Sequence, residues 1–194
     1  MNNFVRNFVA GIVAIGLIVV MFMVTGNFFN TGRVRHPSRR ISCLSNLKQI
    51  GLALKQYAMD YNDLFPKDDN AAGLDVLRAT DYLTDYSIYI CPSTTTSKAT
   101  TGKLTESSCD YIYFGGLKEG LNSDLPLSFD KPVNHKAYIN VLFLDGHVSG
   151  FSEPGLSSCE KIINFLAKKH PYNSAEKAKL LKQARAIDKR LGYK

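Results

Sequence analysis

Eighteen consecutive residues from Phe8 to Thr25, FVAGIVAIGLIVVMFMVT, carry no charge. A run of this length is at the short end of what crosses a bilayer as a helix. Arg6 and the amino terminus precede it, and the pattern predicts an uncleaved signal anchor over residues 1–26. A cleavable signal peptide is the competing reading, because Val24 and Gly26 make a loose small-residue pattern before Asn27. Its apolar region would be long for that role. The rest of the chain has to fold outside the bilayer. In a chain of 194 residues, 45% apolar and 21% charged, there is room for one globular domain beyond the anchor and not for two.

Two signals conflict over which side that domain occupies. Arg33, Arg35, Arg39 and Arg40 come after the apolar run, which by the positive-inside rule favours a cytoplasmic domain. Cys43, Cys91, Cys109 and Cys159 form an even set with no C-x-x-C pair and no metal-ligand spacing, as in an exported disulfide framework. The cysteine signal is preferred, and it places the domain outside the cytoplasm. The net charge of +7 does not reverse this, because it sits mainly in the tail: residues 151–194 hold 10 Lys/Arg against 4 Asp/Glu, while residues 1–150 are near balance.

The linker 27–37 contains Gly32 and Pro37, both poor occupants of a helix interior. Ser38 is placed to cap a following helix, and Pro66 marks the turn after it. Between them Cys43, Leu47, Ile50, Leu54, Tyr57 and Tyr61 recur at alternating spacings of 4 and 3, flanked by Leu44, Gly51 and Ala58. This is the stripe of an amphipathic helix, too short and too rich in tyrosine for a coiled-coil seam, and it predicts packing against the chain's own sheet. A short second helix is expected over Ala71 to Thr80. YSIYICP, CDYIYFGG and AYINVLFLDGHVSGF read as strands, being rich in Tyr, Ile, Val and Phe between Gly, Pro and Ser. Asp145-Gly146 predicts a hairpin with a type I′ turn. The expected class is α+β: a membrane helix, a long helix, and a small antiparallel sheet on which that helix lies.

The order ISCLSNLKQIGLALKQYAMDYNDLFP, then YICPS, then His135 followed after nine residues by Asp145-Gly146 resembles the bacterial pseudopilin-like proteins with a His-X9-Asp-Gly motif, relatives of the major pseudopilin of type II secretion. The resemblance covers roughly residues 38–151. It implies a pilin-like fold with an exported head, residues 38–152, and it implies that basic residues after the membrane helix are compatible with export. It also implies an inner-membrane location, single pass with a periplasmic head, and as partners other pilin-like subunits or secretion-apparatus proteins. The chain departs from the family at its start. It has no Phe-Thr-Leu-Ile-Glu-like sequence and no acidic residue before Asp60, so the membrane-embedded glutamate that pairs with a neighbouring subunit's amine is missing.

Four cysteines allow three connectivities, which sequence alone does not separate. Placement favours Cys43 with Cys91, because Cys43 opens the stripe that faces the sheet and Cys91 ends the first expected strand, and the resemblance supports it, since both lie in the shared motifs. That leaves Cys109 with Cys159, to tie the tail to the head. A local Cys91–Cys109 bond is the rival.

The chemistry-bearing residues point away from catalysis. His135, Asp145 and His147 have ligand and acid/base chemistry, but Asp145-Gly146 is expected to make a turn and His135 to hold the start of a strand. Asp60, Asp63, Asp68 and Asp69 have the residue type for calcium without an EF-hand spacing, so no cofactor or metal is assigned, with calcium the minor alternative. No Gly-rich phosphate loop, G-x-S-x-G or H-E-x-x-H occurs. No enzyme and no small-molecule substrate is expected.

The extension 153–194 reads as two helices, Cys159 to Ala167 and Ser174 to Leu191, the second apolar on one side and basic on the other. A solvated basic face is the plain reading. Contact with anionic lipid, nucleic acid or an acidic partner is the alternative, and the lack of interleaved aromatic residues weighs against nucleic acid. Three functional classes remain: a structural pseudopilin-like component, a non-polymerising envelope binding module that keeps the head, and an enzyme using His135 and Asp145.

Overall fold

The structure is a computed structural model. It describes residue 2, residues 11–21 and residues 35–194, the last stretch with side chains from residue 38. Residues 11–21 are helical, with Ile12, Ile15, Leu17 and Met21 exposed. The remainder of the apolar run 8–25 lies outside the described residues. Among the described residues no helix is long and apolar enough to cross a membrane.

Residues 37–194 form one compact unit. Its first element is a 26-residue helix, α1 (Arg35–Asp60). The helix is already formed at Arg35, so Ser38 lies inside it rather than capping it, and the Ser42 hydroxyl donates to the Ser38 carbonyl (3.1 Å). Cys43, Leu47, Ile50 and Leu54 are fully buried, with Ala53 and Ala58 beside them, while Ile41, Leu52 and Met59 on the other faces are exposed. The predicted stripe is therefore the buried face as far as Tyr57, which is half-buried; Tyr61 falls beyond the helix end and is exposed. Termination comes before Pro66. Asn62 and Asp63 take the left-handed conformation (φ 54° and 63°) that these short polar residues tolerate, and the Asp63 N–H returns to the Ala58 carbonyl.

α2 (Asn70–Ala79) comes next, close to the helix expected there. YSIYICP does not form a strand. Tyr86–Tyr89 is a 3₁₀ turn, closed by the Asp85 carboxylate accepting from the Ser87 N–H and hydroxyl. This local side-chain bonding competes with a ladder that has no neighbour here.

The sheet is four-stranded and antiparallel in sequence order: β1 (Tyr111–Tyr113), β2 (Pro126–Asp130), β3 (Ile139–Phe143) and β4 (Val148–Phe151). Tyr111 pairs with Asp130, Phe129 with Val141, and Val141 with Ser149. β2, PLSFD, escaped the sequence reading because it is short and opens on a proline, which a strand accepts only at its start or edge. β3 and β4 make the expected hairpin with a different turn. The Gly146 N–H bonds the Phe143 carbonyl and only Gly146 has positive φ (94°), so a type I turn followed by a left-handed glycine replaces type I′.

α1 lies on this sheet at close range. A Cβ built on Gly51 would stand 2.7 Å from Leu142 Cδ1 in β3, so glycine sets the approach. The tail is part of the same core. α3 (Cys159–Lys169) buries Ile162, Ile163 and Leu166; α4 (Ser174–Leu191) buries Leu180, Ala184 and Ile187. Asn173 caps α4, in a reciprocal pair with Glu176, and Gly192 ends it in the left-handed conformation.

Several of the tail's cations turn back to the protein. Arg185 pairs with Glu160 (2.7 Å), Arg190 lies 3.6 Å from Glu106, and Lys179 donates to the Gly116 carbonyl (3.0 Å).

Candidate functional site

Three sequence-distant residues meet where α1 begins its buried course over the sheet. Cys43 from α1 and Cys91 from the loop after the 3₁₀ turn form a disulfide, with Cα atoms 5.3 Å apart. His135, in the loop between β2 and β3, brings Nε2 to 3.5 Å from Cys91 Sγ and to 3.4 Å from Oδ2 of Asp130, the last residue of β2. Both cysteines are fully buried, and the His135 and Asp130 side chains are 4% and 1% exposed.

Each member is held by the backbone around it. The Cys91 N–H donates to the Asp110 carboxylate (3.0 Å), which also accepts from Thr94 and Thr96. Asn134 ties the His135 loop down by donating its side-chain amide to the Asp110 carbonyl (2.7 Å). Asn140 donates its backbone N–H (2.8 Å) and side-chain amide (2.9 Å) to Asp130 Oδ2. The other oxygen of Asp130, Oδ1, is buried without a hydrogen-bond partner. Across the site, Tyr138 meets His135 edge-on at 6.0 Å between ring centroids, and the Arg40 guanidinium lies 4.5 Å over the Tyr138 ring.

Burial disfavours charge on both titratable groups. It raises the Asp130 carboxyl to about 7, against the donation from Asn140. It lowers His135 to about 4, helped by the Arg40 charge. Over the range between, the pair is neutral overall.

A shallow cleft of about 360 Å³ borders this cluster, lined among others by Val133, His135, Tyr138, Glu153 and Leu156. His135 links the cleft to the disulfide.

Asp145 does not join His135. The two lie at opposite ends of β3, whose five residues alone span roughly 17 Å. The Asp145 carboxylate accepts from the His147 backbone N–H (2.9 Å) and faces its Nδ1 (2.6 Å), and it is exposed. The acid/base pair considered from the sequence is therefore absent as a pair. The other acidic candidates are dispersed: Asp60 accepts from the Tyr82 hydroxyl, and Asp69 from the Gly115 N–H and the Gln183 amide.

The Cys43–Cys91 bond is the one expected. Cys109 and Cys159 are not bonded, contrary to expectation; both are free and buried. The tail is docked by other means: the Gln183 amide of α4 donates to Asp69 and to the Gly115 carbonyl (3.0 Å each), and the Asn122 amide donates to the Pro171 carbonyl (2.9 Å). Within the tail, a carboxylate joins the two helices. Asp188 of α4 accepts from the backbone N–H groups of Cys159 (2.7 Å) and Glu160 (2.9 Å), the unpaired donors at the start of α3. Burial pushes the Cys109 thiol up to about 12 and the Cys159 thiol upward as well, so both stay protonated.

Asp130 was missed by sequence reading because it lies in the unrecognised strand β2. Its position five residues before His135 was the only available signal.

Residues 33–77 match the model of a family described as a protein of unknown function (DUF1559), a family associated with pseudopilin-like proteins. The match covers α1 and most of α2, including Cys43 and the Gly51 contact. No curated protein and no solved structure matches the chain.

Proposed function

We propose that this chain is a membrane-anchored, pilin-like structural component of a bacterial type II secretion or type IV pilus-like system, with its head in the periplasm. The observation that carries the reading is α1. One long helix, matched by a family associated with pseudopilin-like proteins, is laid on a four-stranded antiparallel sheet and tied by the Cys43–Cys91 bond to the loop after the 3₁₀ turn. A disulfide as a structural device fits an oxidising compartment. The separation of His135 from Asp145 favours a structural role for the His-X9-Asp-Gly residues: Asp145 and Gly146 shape a hairpin, and His135 closes the loop over the disulfide.

The second reading is an envelope binding module that keeps the pilin-like head without polymerising. The absence of an acidic residue before Asp60 favours it. Mass spectrometry of the N-terminal peptide of the protein from its native membrane separates the two. A trimmed, N-methylated terminus supports the assembling component. An intact Met1 supports the lone anchor, and a cleaved, unmethylated, soluble protein would overturn both.

A further inference from the structure

The geometry points to a metal site built from the same atoms as the disulfide: once reduced, Cys43 and Cys91, together with His135 and Asp130, bind one tetrahedral divalent ion of zinc character. The three ligand atoms of Cys43, Cys91 and His135 all lie within 4.8 Å of one another. In a tetrahedral zinc site, with Zn–S about 2.3 Å and Zn–N or Zn–O about 2.0–2.2 Å, neighbouring ligand atoms stand roughly 3.4–3.8 Å apart. Two edges of such a tetrahedron already exist, Cys91 Sγ to His135 Nε2 at 3.5 Å and His135 Nε2 to Asp130 Oδ2 at 3.4 Å. The sulfur–sulfur edge has to open, and Asp130, which lies outside that trio of mutually close ligand atoms, has to close on the sulfurs.

Independent support comes from Asp130. It is a fully buried carboxylate with Oδ1 unpartnered, an arrangement costly in an apolar interior and resolved by a cation. Asn140 orients it with two hydrogen bonds, as an outer shell orients a ligating carboxylate. Two thiolates, one carboxylate and a neutral imidazole around a divalent ion carry one net negative charge, and Arg40 stands nearby to offset it.

The conversion balances simply. A phosphine or thiol reductant supplies two electrons, two protons complete the thiols as the S–S bond breaks, and the incoming ion displaces both thiol protons to solvent. Bond and ion pin the same point of α1 to the same loop, so the fold is held under oxidising and reducing conditions alike.

The test uses the full-length chain reduced with a phosphine that is then removed, titrated with Co²⁺ under anaerobic conditions. One equivalent should bind, with the intense visible bands of tetrahedral thiolate-bound cobalt, and Zn²⁺ should bleach them. The oxidised chain should show no such bands. His135→Ala and Asp130→Asn should each weaken binding by at least the roughly 10–100-fold that even outer-shell partners are worth. Cys43→Ala/Cys91→Ala, which retains the Cys109 and Cys159 thiols, should not bind. Equal binding by the oxidised chain or by the double variant, no thiolate bands on reduction, or unchanged affinity in Asp130→Asn would overturn the site. If the reduced chain has lost its circular dichroism signal, Co²⁺ should restore it, and failure to do so overturns the site equally.

Discussion

Gly51 of α1 lies directly against Leu142 of β3, so near that an added Cβ would stand 2.7 Å from the leucine's Cδ1. The helix backbone thus meets the Leu142 side chain directly, where its buried stripe closes over the core. Gly51→Val should overpack this contact and lower stability by about 1–3 kcal/mol. The Leu142→Ala background should recover part of that loss. Urea denaturation of both variants checks it, and additive losses would mean that the two sites do not touch.

Removing the disulfide should cost more. Cys43 and Cys91 are separated by 48 positions, and closing a loop of that length contributes about 4 kcal/mol in the chain-entropy account. Cys43→Ala/Cys91→Ala should therefore lose about 2–5 kcal/mol in denaturant unfolding.

His135 and Asp130 should hide each other in the pH dependence of stability. With His135 lowered to about 4 and Asp130 raised to about 7, the folded pair holds one proton between these values, as the unfolded pair does with a charged histidine and an ionised aspartate. Equal proton counts give little slope. Each single variant should expose the partner left behind. In Asp130→Asn, the depressed histidine contributes stability that is full above about pH 6.5 and is lost as pH falls toward 4. In His135→Gln, the raised aspartate contributes stability that is full at low pH and is lost as pH rises toward 7. Slopes should approach about 1.4 kcal/mol per pH unit. Parallel wild-type and variant profiles would contradict the pairing.

Asp188→Ala should loosen the start of α3 against α4. It removes the acceptor for two backbone N–H groups at the start of α3, at a cost of about 1–3 kcal/mol. Alkylation under native, non-reducing conditions should spare Cys109 and Cys159 in the wild type, while their unfolded forms should react as free thiols. In Asp188→Ala, Cys159 should react faster.

Much of this architecture could be read from the chain because its local and global signals agree. The 4-and-3 spacing of Cys43, Leu47, Ile50 and Leu54 is a helix face whatever it packs on, and the apolar runs around Asp145-Gly146 need a hairpin. The misses came where short-range chemistry decided. Asp85 folded YSIY into a turn, and Pro126 disguised a strand. A left-handed Gly146 alone sufficed where a type I′ turn was expected. The site was less legible than the fold. Cys43, Cys91, Asp130 and His135 come from four segments, and no spacing rule joins residues that only the strand order brings together. The Cys109–Cys159 pairing failed for a related reason, because the tail reaches the head through buried side chains of both its helices and the Gln183 amide rather than through a sulfur.

The central claim, a membrane-anchored pilin-like component with its head outside the cytoplasm, is tested most directly by protease digestion of intact spheroplasts, followed with antibodies to the α4 segment and to the N-terminus. The account predicts that the α4 signal is lost from unlysed spheroplasts while an N-terminal fragment stays with the membrane pellet. An α4 signal protected until lysis, or a chain found whole in the soluble fraction, would contradict it.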